Sequence, residues 1–217
     1  MNIDQMRRDY QQAALTTDDV AADPVVQFRK WFEQIVTVHT GDWFEPNAMT
    51  LATATPAGEP SARVVLLKDI DDDGVVFYTN YQSQKGRELD ANPRASAVFY
   101  WASLERQIRL TGRVEPVSRE RSEAYFHSRP RGSQLGALVS QQSQTVRTRE
   151  ELEEALSQLE RTYGEEDVIP MPEHWGGYKL FVEEAEFWQG RPNRLHDRVR
   201  YRKAGDAKGW VVERLAP

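Results

Sequence analysis

Glu186-Phe187-Trp188-Gln189-Gly190-Arg191-Pro192-Asn193-Arg194-Leu195-His196-Asp197-Arg198 is the stretch on which the reading of this chain turns. It closes a strand-like run, Leu180 to Trp188, and breaks at Gly190 and Pro192. It then presents Arg194, His196 and Arg198 at alternate positions. In extended backbone alternate side chains share a face. The spacing therefore points two guanidiniums and an imidazole the same way, just after a large aromatic. Such a face suits an anionic, planar ligand. A basic loop, with its arginines paired to local carboxylates and His196 merely exposed, fits the same spacing.

Outward from this segment the chain is a succession of short strands. Met49 to Thr55, Ser61 to Asp69 and Val75 to Asn80 are rich in Val, Thr, Leu and aromatics. Pro56-Ala57-Gly58-Glu59-Pro60 and Asp71-Asp72-Asp73-Gly74 separate them, so the pattern predicts a three-strand meander. Arg94 to Ala102 and Gln107 to Val117 add two strands, Tyr178 to Trp188 a longer one, and Val199 to Lys203 and Trp210 to Leu215 a closing pair. Asp23-Pro24 joins an N-cap to a proline at the first helical position. Val25, Phe28, Trp31 or Phe32, Ile35 and Val36 follow at helical spacing, which predicts an amphipathic helix over 24–39. Ser83 caps a short helix at 84–91 that closes at Asn92-Pro93. Residues 118–163 are expected to be helical in pieces, broken at Pro130 and reopened by the capping box Thr148-Arg149-Glu150-Glu151.

The fold class that follows is mainly β with flanking helices. Antiparallel strands joined by short turns argue a closed or partly closed barrel. Residues 1–23 are polar without a firm period and read as a mobile N-terminal arm. Residues 24–217 read as a single domain with a helical insertion at 118–163.

Composition removes several functions. The 217 residues suffice for a proper core, and 39% hydrophobic with 29% charged residues is ordinary for a globular chain. A net charge of −6 argues against general nucleic-acid binding, so local basic clusters must serve something smaller than a polyanion. With no cysteine, disulfides, thiolate metal sites and cysteine nucleophiles are excluded. No apolar run is long enough to span a bilayer, and Met1 to Tyr10 lacks an apolar signal core, so the cytoplasm is the expected location.

The remaining chemistry is a set of anion donors. Arg63 and Lys68 flank Val64-Val65-Leu66-Leu67, an apolar run that reads as a buried strand. Being five apart they should project to opposite faces and serve different groups. Each charge needs a partner, an acidic side chain or a bound phosphate. Lys85 sits at the start of the Ser83 helix beside free backbone amides, an arrangement that suits anions. Tyr125, Arg129, Arg131 and Ser133 cluster around Pro130, and Gln142 and Ser143 can donate further hydrogen bonds. Two such clusters imply either two phosphate sites or one site built from both. His39, His127, His174 and His196 lack metal-ligand spacing, so no metal is expected. No P-loop, dinucleotide fingerprint or nucleophile elbow is present. Donors and aromatics without an obvious acid–base pair suit a cofactor that carries the chemistry while the protein supplies orientation and charge.

These residues resemble the pyridoxamine 5′-phosphate oxidase family. The resemblance rests on Glu186-Phe187-Trp188-Gln189 with Arg194-Leu195-His196-Asp197-Arg198, and on blocks in family order: Arg63 to Lys68, Phe77 to Asn80, Glu105 to Gln107, Tyr125 to Pro130 and Arg214 to Pro217. It implies a split β-barrel homodimer with FMN at the subunit interface. It also implies oxidation of pyridoxamine or pyridoxine 5′-phosphate to pyridoxal 5′-phosphate by O2, with H2O2 released. By the same resemblance Arg63, Lys85, Gln142 and Ser143 hold the FMN phosphate. Val64, Val65, Leu66, Tyr78, Thr79, Gln107, Trp188 and Arg198 line the flavin. Lys68, Tyr125, Arg129 and Ser133 grip the substrate phosphate, and Arg194 and His196 lie over the substrate ring as the catalytic pair. Arg7 and Tyr10 match an element that closes over the site. One departure is Gln84, where the family often carries arginine beside the cofactor phosphate. A phenazine-type flavin oxidase on the same barrel, or a non-catalytic carrier of FMN or pyridoxal phosphate, are the alternatives. Neither needs the full substrate set together with Arg194 and His196.

Overall fold

The computed structural model describes residues 2–5, 9–38, 41–164, 166–204 and 209–217. Helix α1 (Pro24–Thr37) precedes strands β1 (Ala48–Ala54), β2 (Pro60–Leu66), β3 (Asp69–Ile70) and β4 (Gly74–Asn80). Helix α2 (Gln84–Ala91) leads to β5 (Arg94–Trp101) and β6 (Arg106–Pro116). Helices α3 (Arg119–Ser128), α4 (Arg131–Val139) and α5 (Arg149–Thr162) follow, and β7 (Trp175–Gln189), β8 (Asp197–Lys203) and β9 (Trp210–Leu215) complete the chain. The helix starts are capped as their residues dictate: Asp23 accepts from Val25 and Val26 N–H, Ser83 from Gly86, Ser118 from Arg121 and Thr148 from Glu151.

The strands form one antiparallel sheet in the order β2-β1-β5-β6-β7-β4-β3, with β8 added to β7 and β9 to β8. β7 is its spine. Its first half pairs with β4 and its second half with β8, while β6 runs along its other edge. A register shift at Thr111/Gly112 bends the β6–β7 ladder. A Cβ on Gly112 would stand 1.9 Å from the Phe181 carbonyl oxygen, so the bend needs glycine there.

The expected three-strand meander is not what forms. β1 and β2 pair, but β4 leaves them to pair with β3 and β7. The reason is burial: all of β4 except Tyr78 is buried, and it pairs along its whole length with the mostly buried first half of β7. β2 is instead an edge strand, and Val64, expected in a buried run, is 66% exposed.

The main core packs α1 against the sheet. Phe28 lies 4.9 Å from Phe99 and Trp31 5.2 Å from Phe187, ring centre to ring centre. Phe28 is fully buried, and side chains of that size contribute about 1.5–3 kcal/mol each on burial. A second cluster, Phe126, Leu135, Ile169, Met171 and Trp175, fixes the helices of 119–162 over the start of β7.

Of the segment expected as a mobile arm, residues 10–21 lie along the far end of β7. Glu105 Oε2 accepts from Gln11 N (2.9 Å) and Gln12 N (3.1 Å), and Asp197 Oδ2 accepts from Leu15 N (3.0 Å). Leu15 is buried, and the Tyr201 hydroxyl donates to Ala21 O at 2.7 Å. Among the described residues no helix is long and apolar enough to cross a membrane.

Candidate active site

A cavity of about 880 Å³ opens where β2, β4, the start of α2, the α3–α4 turn and the 140–143 segment meet. Fourteen residues expected at the site line it: Arg63, Val64, Val65, Leu66, Lys68, Tyr78, Thr79, Gln84, Lys85, Tyr125, Arg129, Ser133, Gln142 and Ser143. The two donor clusters are thus on one wall system. Arg63 and Lys68 both reach it, against the alternation argument, because β2 ends at Leu66 and Lys68 lies beyond the last paired residue.

Lys85 is the buried cation of the first group. Its Nζ donates to Gln142 Oε1 (2.7 Å), Thr79 Oγ1 (2.9 Å) and Ser83 Oγ (3.2 Å). Burial first, and the Arg63 charge second, pull it down to about 8, with Glu88 opposing. Asn80 Nδ2 holds the 140–143 segment over it by donating to Ser140 O at 3.2 Å.

The second group is built on stacked rings. Tyr78 and Tyr125 stack with centres 3.9 Å apart, and Trp175 continues the stack 5.6 Å from Tyr78. The Arg129 guanidinium lies 4.8 Å over the Trp175 ring. Its Nη1 is buried with no hydrogen-bond partner, and burial lowers its pKa. A buried guanidinium N–H without an acceptor is costly, so this wall fits an anion. Lys68 and Ser133 line the same wall.

Gln107, Trp188, His196, Arg198 and Tyr10 form a different neighbourhood, at the other end of β7. Gln107 pairs with Trp188 across β6–β7, and Trp188 pairs with Arg198 across β7–β8. Tyr10 stands edge-on to Trp188 and to His196, both at 5.5 Å, and Trp188 lies 4.6 Å from His196. A Cβ on Gly190 would be 2.7 Å from the Tyr10 ring, so glycine is what lets the ring settle. Buried Glu186 accepts from Arg198 Nε and Arg109 Nη2, both at 2.8 Å, and raises the Arg198 pKa.

Arg194, His196 and Arg198 do not share one strand face. Pro192–Arg194 is a 3-10 turn in which Asn193 and Arg194 have φ of 56° and 60°, and β8 begins only at Asp197. The prolyl turn replaces the extended backbone that alternation requires. Arg194 is exposed on this turn. His196 Nδ1 accepts the Arg191 backbone N–H at 3.1 Å, which leaves its own proton on Nε2. Burial, and then Arg194, lower its pKa and favour that neutral form. Arg191, a member of the basic run, donates to Ala13 O and pairs with Asp197, so it ties the N-terminal segment to β8. Arg7 and His39 lie outside the described residues.

None of Gln107, Trp188, Arg194, His196 and Arg198 lines the cavity, so within one protomer the two groups stay separate. Sequence reasoning also missed Glu88 and Trp175, and gave no role to Glu105 and Glu186 although both stand in the family blocks. Glu88 was legible only as a helix neighbour of Lys85 at i+3, on the buried side of α2.

A family model described as pyridoxamine 5′-phosphate oxidase matches residues 37–171. A second, described as the pyridoxine 5′-phosphate oxidase C-terminal dimerisation region, matches residues 175–217. The chain belongs to the pyridoxamine 5′-phosphate oxidase family. The pyridoxine/pyridoxamine 5′-phosphate oxidase of Salinibacter ruber is 54% identical over 98% of this chain and 97% of that protein. That of Bordetella pertussis is 51% identical over the full length of both. Among solved structures, PhzG from Burkholderia lata 383 in complex with tetrahydrophenazine-1-carboxylic acid superposes with a TM-score of 0.84 at 32% identity, over 94% of this chain and 98% of that one. A pyridoxamine 5′-phosphate oxidase-related, FMN binding protein from Nostoc punctiforme superposes at 0.72 with 17% identity and shares the fold. The sheet is the split barrel of the oxidase family, and its C-terminal part, 175–217, is the family's dimerisation region.

Proposed function

We propose that this protein is an FMN-dependent oxidase that converts pyridoxamine 5′-phosphate and pyridoxine 5′-phosphate to pyridoxal 5′-phosphate. O2 is the electron acceptor and H2O2 the by-product; the amine substrate also takes up water and releases ammonia. The observation that carries the reading is one cavity lined by two distinct anion-donor groups, Arg63 with Lys85 and Lys68 with Arg129. A cofactor phosphate and a substrate phosphate each need one.

The donor chemistry fits FMN. Arg63, Lys85, Gln142 and Ser143 would hold its phosphate, while Val64, Val65, Leu66, Tyr78 and Thr79 would line the ring system from the same protomer. FMN, when bound, supplies the two-electron acceptor that reacts with O2. Lys68, Tyr125, Arg129 and Ser133 would anchor the substrate phosphate, and charge-assisted hydrogen bonds of this kind contribute about 1.5–3 kcal/mol each. Two phosphate anchors hold both ligands in register, which is the main contribution a site without an acid–base pair can make.

Gln107, Trp188, Arg194, His196 and Arg198 would complete the site from the partner subunit in this reading, since none of them lines the cavity of its own protomer. Homodimerisation through 175–217 supports that arrangement. Arg194 and the neutral His196, with its proton on Nε2, would then cover and orient the substrate ring. Tyr10 would close over it, with Arg7 as its expected neighbour. A cytoplasmic location belongs to the same proposal and is carried by the family alone.

The test is to purify the protein, measure bound flavin, and follow O2 consumption with both phosphorylated vitamers and with unphosphorylated pyridoxine. Yellow protein with turnover confined to the phosphorylated vitamers is expected. A colourless product without turnover after FMN addition would overturn the reading. Flavin without turnover would indicate a carrier, and indifference to the phosphate would favour a phenazine-type substrate.

A further inference from the structure

Glu88 is 93% removed from solvent by its 7% exposure, yet it belongs to neither ligand group. Its Oε2 accepts from Ser61 Oγ at 2.6 Å and from Thr53 Oγ1, and lies 3.4 Å from Arg63 Nη2. Its Oε1 accepts from Gln84 Nε2 at 2.9 Å. The same two hydroxyls also accept from the Arg63 guanidinium: Ser61 Oγ from Nη2 and Thr53 Oγ1 from Nη1. A hydroxyl that accepts from a guanidinium must turn its single proton elsewhere. Here both protons go to Glu88. The carboxylate therefore fixes two hydroxyl orientations, and these fix both terminal nitrogens of Arg63.

We propose that Glu88 is the positioning residue of the cofactor-phosphate cradle, acting on Arg63 through the Ser61 and Thr53 hydroxyls and using Gln84 as its outer brace. This rests on the proposed FMN site and assigns roles within it. Gln84 then contributes to the cradle through Glu88, to which it gives one of its two amide N–H donors. Burial would raise the Glu88 pKa, but the Ser61, Thr53 and Gln84 hydrogen bonds and the Arg63 charge outweigh that and hold it at about 2. It is therefore ionised wherever FMN binds, and able to accept from every donor around it.

Two physical effects of removing the charge have opposite signs. Glu88→Met makes the cradle more positive, which by charge alone tightens phosphate binding. It also removes the one oxygen to which both hydroxyls donate, so their protons are no longer held away from the guanidinium. Positioning predicts that the second effect wins.

The experiment is a flavin-fluorescence titration of flavin-stripped dimer with FMN and, as the phosphate-free probe, riboflavin. Wild type should bind FMN more tightly than riboflavin. Glu88→Met should weaken FMN at least about ten-fold, a loss of about 1.4 kcal/mol, with riboflavin unchanged. Glu88→Asp, which keeps the acceptor charge, should recover part of the loss. Ser61→Ala, a milder change at a half-buried hydroxyl, should weaken FMN in the same direction. FMN binding that is unchanged or tighter in Glu88→Met would overturn the proposal, as would a parallel loss of riboflavin. Wild type that does not prefer FMN over riboflavin would instead overturn the functional reading itself, and this inference with it.

Discussion

Raising the pH through 8 should release FMN, and Lys85 is the reason. The cradle holds its ammonium at about 8, against an ordinary 10.5, because the group is buried and shares the site with Arg63. A phosphate dianion bound beside it would raise that value. Above pH 8 binding must therefore return a proton to Lys85, and affinity should fall by up to ten-fold per pH unit, about 1.4 kcal/mol each. Below about pH 6 the phosphate loses its second charge and affinity should fall again. The expected profile is a plateau between those limits. On the flavin-free fold the sign is opposite. There the folded value lies below the unfolded one, so the unfolded chain binds more protons between about 8 and 10.5, and this group's contribution to stability grows as pH rises across that window. The assay is an FMN titration from pH 5 to 10 with Lys85→Arg as the comparison, since a guanidinium stays charged throughout. Lys85→Arg should remove the upper limb whatever its absolute affinity. A wild-type Kd that is flat from pH 7 to 10, or an upper limb kept in Lys85→Arg, would refute the reasoning.

Arg194→Ala should lower kcat by about two orders of magnitude or more while FMN retention stays within about two-fold, the size expected when a transition-state contact is removed; equal losses of both would sink the assignment. Arg129→Met keeps the apolar cover on Trp175 but removes the charge, so KM for the phosphorylated vitamers should rise on the order of 10- to 100-fold. Steady-state kinetics with an unchanged KM would exclude Arg129 from the substrate phosphate. Glu105→Ala removes the acceptor for Gln11 and Gln12 N–H, and hydrogen exchange at those two amides should speed up about ten-fold or more. Protection equal to wild type would mean that the Tyr10 segment is held by its side-chain contacts alone.

The helices and most strands were legible because their causes are local. Asp23-Pro24, Ser83 and Thr148 announce helix starts within a few residues of themselves, and the alternation of β5 and β6 can be read along each strand alone. The anion chemistry was legible too, because arginine and lysine at the ends of apolar runs need partners wherever the chain goes. Strand partners were not legible in this way. β4 follows β2 closely in sequence yet pairs with β7 nearly a hundred residues later, a choice made by burial of both its faces.

The opening segment shows the same division. Its residue types by themselves determined a basic, aromatic site element next to a strand end. That Arg194 turns out through a left-handed residue, that the Arg191 N–H is accepted by His196 Nδ1, and that Arg191 itself clips the N-terminal segment were decided only by the tertiary structure. So were the roles of Glu88 and Glu105, two buried carboxylates whose sequence neighbours mark them as ordinary surface acids. A carboxylate's function depends on which donors converge on it. Here those donors come from as far away as Thr53 and Gln11, positions brought close only when the chain closes.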